Sequence, residues 1–360
     1  MLKFDPKVWP FYSKECRRDV DAMLRKGGTL SAYRSNKSWG PPPRRGSWCE
    51  RFERELEKRF HVEHAIAVNS GTMALTASLI ALDLPKGSEV ITTPYSFSAT
   101  VASILLAGYT PKFADIDRDT FCITPDTVKD VISRKTKAIV PVDLFGKLCE
   151  YDGFDEFELP IIRDGCQSVG ARINGRYHFG LCTCASGNGG KNLPIGEGGF
   201  VLTDNDNLSD RIRKYISHAE NFDEDWIGVN GRLPELSSCV AYHGLINLEK
   251  RNKQRIALVE RLTGCPQGTD HVYYVYASTA FGMRTRSEFC KRVRAKGISI
   301  GEGYIIPPLH HYLAFKKYAT KQLPVADNLS FYSLWLIDCL RPPATMKDAD
   351  YVHNVILEAL

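Results

Sequence analysis

A single lysine in a glycine-rich stretch is the residue whose type and setting most directly indicate chemistry. Lys191 lies within residues 186–199, which read SGNGGKNLPIGEGG, and the apolar residues 200–203 follow. Glycines on both sides allow positive φ angles and a close approach of the backbone to a planar ligand. An unprotonated, lightly solvated lysine amine forms an imine with an aldehyde cofactor or a carbonyl substrate. The stretch indicates a lysine-based site, and a flexible hairpin with an incidental lysine is the alternative.

A nucleotide-binding phosphate loop is a further interpretation of the same stretch, and its spacing excludes it. That motif needs a glycine five residues before its Gly-Lys pair and Ser or Thr directly after the lysine. Ala185 and Asn192 occupy these two positions. With the phosphate loop excluded, the interpretation of Lys191 as an imine-forming lysine remains.

The composition is that of an ordinary globular protein. With 360 residues, 43% hydrophobic and 25% charged, the chain is long enough for one large and one small domain. The most apolar region, residues 101–108, is far shorter than the roughly 20 residues that cross a bilayer, and the N-terminus lacks a signal-peptide core. A net charge of +5, mixed along the chain, suits an anionic small molecule and does not favour nucleic acid. We predict a cytoplasmic protein with neither a membrane nor a nucleic-acid partner.

Cysteine usage agrees with that compartment. Eleven cysteines, an odd number without regular spacing, favour a reducing environment over a disulfide framework. Cys182 and Cys184 have no second Cys or His pair at zinc spacing. Buried structural thiols are therefore favoured there, and no metal is predicted.

Alternating apolar strands and helices predict an α/β fold. The pattern begins with an N-terminal arm (residues 1–48, helical around 15–25) and a helix over 49–60 with Phe52, Leu56 and Phe60 on one face. Helices at 73–82 and 98–107 alternate with strands at 65–68, 89–93, 112–115, 138–142, 160–164 and 200–203. Such alternation implies a mostly parallel sheet covered on both faces, with ligands at the carboxyl ends of its strands.

The turns after two of these strands carry candidate binding groups. Residues 69–72, Asn-Ser-Gly-Thr, join a strand to a helix start, where free backbone N–H groups form an anion site. Ser70 or Thr72 as a simple N-cap is the alternative. Asp164 ends a buried strand, so it needs a partner or a shifted pKa. A cationic ring nitrogen would be such a partner, and Arg163 and Lys191 are the other candidates.

Several ordered motifs together resemble the DegT-type sugar aminotransferases, which are pyridoxal phosphate (PLP) enzymes of the type I, aspartate aminotransferase, fold. The resemblance extends across most of the chain. Its motifs are NSGTMAL at 69–75, TPYSF at 93–97, DGCQ at 164–167, KNLPIGEGG at 191–199, GVNGR at 228–232, DHVYYVY at 270–276, GISIG at 297–301, PPLH at 307–310 and LPVAD at 323–327.

The resemblance implies a catalytic pair. Lys191 would form the imine with PLP, and Asp164 would pair with the pyridinium nitrogen that makes the ring an electron sink. Released from the imine, Lys191 would act as the general base that moves the substrate proton.

The resemblance also implies the remaining cofactor contacts. Gly71, Thr72 and the Ser186 hydroxyl would hold the phosphate. Phe97, otherwise a core aromatic, would stack on the ring, and Gln167 would lie against its face or its hydroxyl side. Asn230 would reach the phosphate in the neighbouring subunit. Asn188 is a candidate only because it is close to Lys191 in the sequence.

From this resemblance we expect an aminotransferase with a large domain over 1–245, including the arm, and a small α+β domain over 246–360. It would move an amino group from an amino acid, with glutamate the expected donor, to a keto-sugar, expected to be nucleotide-linked, in a homodimer with shared active sites. Residues 181–190 depart from the family's usual acidic residue and aromatic-Ser-aromatic run, in the loop that faces the substrate. PLP-dependent decarboxylation or dehydration, and a non-catalytic regulatory homologue, are the alternatives. Dehydrating relatives commonly carry histidine in place of the lysine, so Lys191 argues against that variant.

Overall fold

Helices and strands alternate along the chain of this computed structural model, which describes residues 10, 12–27, 30–31, 43, 45–219, 227–266 and 268–360. The helices in these residues are α1 Lys14–Lys26, α2 Trp48–Phe60, α3 Gly71–Leu82, α4 Ala99–Leu106, α5 Pro125–Lys129, α6 Asp206–Ile216, α7 Glu235–Ile246, α8 Leu248–Thr263, α9 Arg286–Ala295, α10 Pro324–Asn328 and α11 Met346–Ala359. The strands are β1 His64–Val68, β2 Glu89–Thr92, β3 Thr110–Phe113, β4 Thr136–Val140, β5 Ile162–Asp164, β6 Cys182–Ser186, β7 Gly199–Thr203, β8 Tyr276–Ser278 and β9 Trp335–Ile337. No helix within the described ranges is long and apolar enough to span a membrane.

One mixed sheet with strand order β3-β2-β4-β5-β6-β7-β1 forms the centre of residues 64–203. β3, β2 and β4 pair in parallel, as do β5 and β6, and parallel bridges such as Val142 to Asp164 join β4 to β5. β7 alone runs antiparallel, to both β6 and β1. Helices cover both faces, and the apolar residues of the central strands are fully buried, as the mostly parallel prediction requires.

Local sequence signals explain two helices, α2 and α3, that pack on the strands leading to the site. Ser47 caps α2 through its hydroxyl, which accepts from the Glu50 N–H over 3.1 Å. Phe52, Leu56 and Phe60 form the buried face of that helix, as predicted from their spacing. α3 is apolar on all sides, and most of it is buried between the sheet and its neighbours α4 and α6.

The C-terminal residues build a second, smaller core. The antiparallel pair β8 and β9 lies against α8, α9 and α11, around buried Trp335 and Phe289. Their rings are 5.1 Å apart, centroid to centroid. The predicted boundary between residues 245 and 246 falls at the last turn of α7, and the division into two domains stays a prediction.

Two strand predictions were displaced by two residues. β3 covers Thr110–Phe113 rather than 112–115, because Thr110 pairs with Glu89 at the start of β2. β4 covers Thr136–Val140 rather than 138–142, since it begins beside the same residue. The apolar pattern located both strands, but the register with β2 sets their ends. The predicted arm helix is α1, and most of the irregular segment after it lies outside the described residues.

Candidate active site

One cavity of about 280 Å³ lies at the carboxyl ends of β1, β2, β5 and β6. Neighbouring parallel strands bring their C-terminal turns to the same edge of the sheet, which is why these distant segments meet. Eight of the nine predicted site residues line it: Gly71, Thr72, Phe97, Asp164, Gln167, Ser186, Asn188 and Lys191.

The start of α3 forms one end of the cavity. Ser70 is the N-cap, and its hydroxyl accepts from the Met73 N–H over 3.0 Å, so the capping alternative is correct for this residue. Gly71 and Thr72 follow in the first turn, where backbone N–H groups lack helical acceptors. A Cβ on Gly71 would lie 2.7 Å from the Ser186 Cβ. This packing leaves no room for a side chain at Gly71 and places the Ser186 hydroxyl beside the helix N-terminus, a combination that suits a phosphate.

Asp164 supplies a buried carboxylate to the cavity wall and is only 3% exposed. Thr100 donates its hydroxyl proton to Oδ2 over 2.8 Å, and the Cys166 N–H donates to Oδ1 over 3.2 Å. Burial raises the pKa of Asp164, and this effect outweighs the hydrogen bonds and the charge of Lys191, which lower it. A cation within contact distance would favour the ionised form of this carboxylate, as a protonated ring nitrogen does.

Arg163 is not the partner of Asp164. Successive residues of a strand point to opposite faces, and the Arg163 side chain lies on the far side of β5. There its Nε donates to Asp143 Oδ2 over 2.6 Å and its Nη2 donates to the Ser168 hydroxyl over 2.9 Å. Burial disfavours the charge of Arg163, but Asp143 more than compensates and raises the pKa of the guanidinium. Lys191 is the one of the two candidates that lies on the Asp164 side.

Lys191 lies in the loop between the antiparallel strands β6 and β7, whose ends are joined by the pairing of Ser186 with Gly199. The hairpin alternative therefore describes the backbone, but the lysine is not incidental to it. Its Nζ lies 4.3 Å from the ring centroid of Tyr274 and faces the cavity. Among the described lining residues it is the only lysine or arginine.

The other predicted contacts differ in how firmly the protein holds them. Phe97 is 59% exposed, so the core-aromatic interpretation is wrong, and its ring is available to a ligand. Gln167 is buried, with its Oε1 accepting from the Phe145 N–H over 2.9 Å. Asn188 donates from Nδ2 to Glu197 Oε1 over 2.9 Å, which orders the loop beside Lys191.

Asn230 is the predicted site residue that the structure does not bring to the cavity of its own chain. It is exposed, and its carbonyl accepts from Asn69 Nδ2 over 3.2 Å. Asn69 directly precedes the Ser70 cap, so Asn230 lies next to the strand that leads into the site. Its predicted contact with a neighbouring subunit stays a prediction.

The cavity also contains residues to which sequence reasoning assigned no role. Thr100 lies in the first turn of α4, Cys166 lies in the turn after β5, and Glu197 lies in the loop that contains Lys191. Tyr274 and Tyr304 come from the C-terminal part of the chain. Both tyrosines lie in or beside segments that the motif comparison noted, which was the available signal for them.

These residues fit the cofactor that the resemblance implies. Gly71 and Ser186 form a cradle, a narrow space that an added Cβ on Gly71 would fill. It lies next to the backbone N–H groups in the first turn of α3. Lys191 offers an amine, and Asp164 offers a buried carboxylate whose raised pKa a cationic ring would lower. A planar aldehyde that carries a phosphate and a basic ring nitrogen matches all three.

Comparisons with known proteins agree with the geometry. The profile of the DegT/DnrJ/EryC1/StrS aminotransferase family matches residues 42–357. The chain is 30% identical to the pleiotropic regulatory protein of Geobacillus stearothermophilus over 335 residues, which cover 87% of this chain and 89% of that protein. It is 30% identical to the UDP-N-acetyl-3-dehydro-alpha-D-glucosamine 3-aminotransferase of Acidithiobacillus ferrooxidans over 305 residues, covering 79% and 82%. The solved aminotransferase from Psychrobacter cryohalolentis matches with a TM-score of 0.84 at 26% identity, covering 98% of both chains.

Proposed function

The chain belongs to the DegT/DnrJ/EryC1/StrS aminotransferase family, and from this premise we propose that it aminates a nucleotide-linked keto-sugar with an amino acid, glutamate, as the donor. The sequence-based predictions of the family, the type I fold, the aminotransferase activity and the PLP cofactor are confirmed. The sugar assignment is supported by a relative named as an aminotransferase of a UDP-linked dehydro-sugar. The cytoplasmic location and the homodimer stay predictions.

One observation carries the proposal: Lys191, Asp164 and the α3 N-terminus surround a single cavity. PLP, when bound, supplies an aldehyde and an electron-withdrawing ring that stabilises negative charge on the substrate carbon. Lys191 would hold the aldehyde through its amine, and as a free amine it would accept and return the substrate proton. Asp164 would keep the ring nitrogen protonated, and the donors Thr100 and Cys166 hold its carboxylate in place.

The other residues of the cavity wall would bind the cofactor and orient it. Gly71 and Thr72 present the N–H groups, and Ser186 the hydroxyl, that would hold the phosphate. Phe97 offers an exposed ring face for stacking, while Gln167 is held from behind by the Phe145 N–H. We place Asn230 at the phosphate of a second subunit, because it is exposed beside the strand that enters the site.

The test is a transamination assay with purified, PLP-loaded protein. Glutamate carrying isotopic nitrogen is offered with a panel of nucleotide-linked keto-sugars, and mass spectrometry follows the label into the sugar. The matched control is Lys191→Ala, which keeps the cavity but lacks the amine. Transfer of label by the wild-type protein alone supports the proposal. Loss of carbon dioxide or of water from a substrate, or no turnover with any pair although the imine forms, would contradict it and favour the alternative chemistry or a regulatory role.

A further inference from the structure

Tyr304 takes part in a hydrogen-bond chain whose direction can be read from its first donor. The Phe145 backbone N–H can only donate, so the Gln167 side-chain atom that faces it, at 2.9 Å, is the oxygen Oε1. The amide nitrogen of Gln167 is then on the other side, and it donates to the Tyr304 hydroxyl oxygen over 3.1 Å. Tyr304 Oη therefore accepts from Gln167, which leaves its own proton to be donated elsewhere.

The protein holds the Tyr304 ring in place from several directions. Its backbone N–H donates to the Tyr95 hydroxyl over 3.1 Å. Its ring packs edge to face against Phe145 and Tyr95, at centroid distances of 5.3 and 6.3 Å. Such anchoring limits the directions in which the hydroxyl can donate.

The Tyr304 proton remains on the oxygen and lacks a protein acceptor. Burial raises the pKa of Tyr304, and the neighbouring Tyr274 and Asp164 raise it further, so the group is a neutral phenol at any working pH. Among the described residues, none accepts a hydrogen bond from this hydroxyl. Because Tyr304 lines the cavity with Lys191 and Asp164, a bound ligand is the available acceptor.

The covalent structure of PLP indicates which ligand atom this is. Lys191 would bind the aldehyde carbon that ring position 4 carries, Asp164 would pair with the ring nitrogen opposite that position, and the phosphate arm leaves from position 5. The ring hydroxyl is at position 3, next to the position that carries the aldehyde carbon and on the side away from the phosphate. The wall residues not used by the other three groups include Gln167, Tyr274 and Tyr304, and Tyr274 contacts Lys191 itself.

We propose that Tyr304 donates its hydroxyl proton to the ring oxygen of PLP, and that the chain from Phe145 through Gln167 orients it for this contact. The inference rests on the PLP site of the proposed function but not on the identity of the sugar. A donor to this oxygen withdraws the negative charge that otherwise attracts the proton of the lysine imine. Tyr304 consequently lowers the imine pKa, so that the substrate amine meets a larger fraction of the unprotonated form.

The experiment is an absorbance titration of the imine band in the PLP-loaded protein. Tyr304→Phe keeps the ring contacts and removes only the donor, so the imine pKa is expected to rise by about one unit, a tenfold change in the proton equilibrium. Substitution of 3-fluorotyrosine at position 304, a more acidic donor, is expected to shift the pKa the opposite way. Tyr332→Phe is the matched control, since it removes a hydroxyl from a tyrosine that is 69% exposed and does not line the cavity, and it is expected to leave the imine pKa within about 0.3 units.

The outcomes separate this inference from the proposed function. A wild-type protein without an imine band overturns both. An imine pKa that is the same in wild type and Tyr304→Phe, with thermal melting unchanged, overturns the inference alone. A change confined to the KM of the keto-sugar also overturns it, because the hydroxyl would then contact substrate instead of the ring.

Discussion

Two buried carboxylates beside β5, Asp143 and Asp164, are expected to respond in opposite ways to the same change, Asp→Asn. Asp143 is 0% exposed and is the counter-charge of Arg163, which is itself 0% exposed. It also accepts from the Tyr151 hydroxyl over 2.7 Å and from the Cys149 N–H over 3.0 Å. Asp143→Asn leaves a buried guanidinium without its counter-charge, which costs about 3–5 kcal/mol of unfolding free energy.

The negative charge of Asp164 has the opposite effect on the stability of the protein. Burial raises its folded pKa above the unfolded value, so the ionised carboxylate lowers the stability of the cofactor-free protein at pH values above the folded pKa. That penalty disappears as the pH falls, because the carboxyl group is then protonated in both states. Asp164→Asn removes the charge and is expected to leave the cofactor-free protein at least as stable at pH 7. Turnover should nevertheless fall by about a hundredfold or more, the scale for losing one preorganised charge at a reacting group.

The assay is urea denaturation of both cofactor-free variants at pH 7, followed by turnover of the reloaded proteins. With a slope of roughly 3 kcal/mol per molar urea, the midpoint of Asp143→Asn should fall by about 1 M or more. The reasoning is refuted if Asp164→Asn is the destabilised variant and keeps normal turnover. That result would make Asp164 a structural residue.

The remaining predictions concern the lysine, the phosphate cradle and assembly. Lys191→Ala is expected to bind PLP without an imine that borohydride can reduce, and to lose turnover; borohydride labelling of another lysine in the wild type would contradict the assignment. Gly71→Ala places a Cβ 2.7 Å from the Ser186 Cβ and should raise the Kd of PLP about tenfold or more, roughly 1.4 kcal/mol. Gly189→Ala is its control, because a Cβ there meets nothing closer than 4.0 Å, and equal affinities of the two variants would count against the cradle. Mixing inactive Lys191→Ala with inactive Asn230→Asp chains should restore activity if sites are shared, since one site of each mixed dimer then carries neither lesion. No recovery despite demonstrated subunit exchange would argue that each site is built from one chain.

Most of the cavity could be predicted because its residues follow strands in the sequence. Ser70 and Phe97 belong to turns after predicted strands and Asp164 ends one, and the geometry of parallel sheets brings such positions together. The strand before Lys191, β6, was not predicted, so the lysine was found from its glycine-rich setting and the motif. The Arg163 alternative could also have been rejected without a structure. Adjacent residues of a strand point to opposite faces, so Arg163 could not pair with the neighbouring Asp164.

The positions of Tyr274 and Tyr304 could not be predicted in this way. Tyr274 and Tyr304 reach the cavity from irregular segments. The Lys147–Asp270 ion pair holds the segment of Tyr274 in place, and the hydrogen bond from the Tyr304 N–H to the Tyr95 hydroxyl holds that of Tyr304. Neither segment has a periodicity that predicts its path, because loops are positioned by tertiary contacts and not by local preference. Motif comparison noted the surrounding residues but gave no role for these side chains.

The place of β7 in the sheet determines when the site can first exist during synthesis. β7 lies between β1 and β6. Strand β1 therefore cannot pair with its neighbour in this sheet, Val68 with Gly199 for example, until β7 has been synthesised. A nascent chain that has emerged only as far as Lys191 already contains the turn at residues 69–72 and the lysine. It lacks β7, the strand that pairs with both β1 and β6. PLP bound between these residues would therefore stabilise the completed sheet and not a sheet that lacks β7. In a cell with little PLP, the newly made protein would remain incompletely folded for longer, and chaperones and proteases recognise incompletely folded chains.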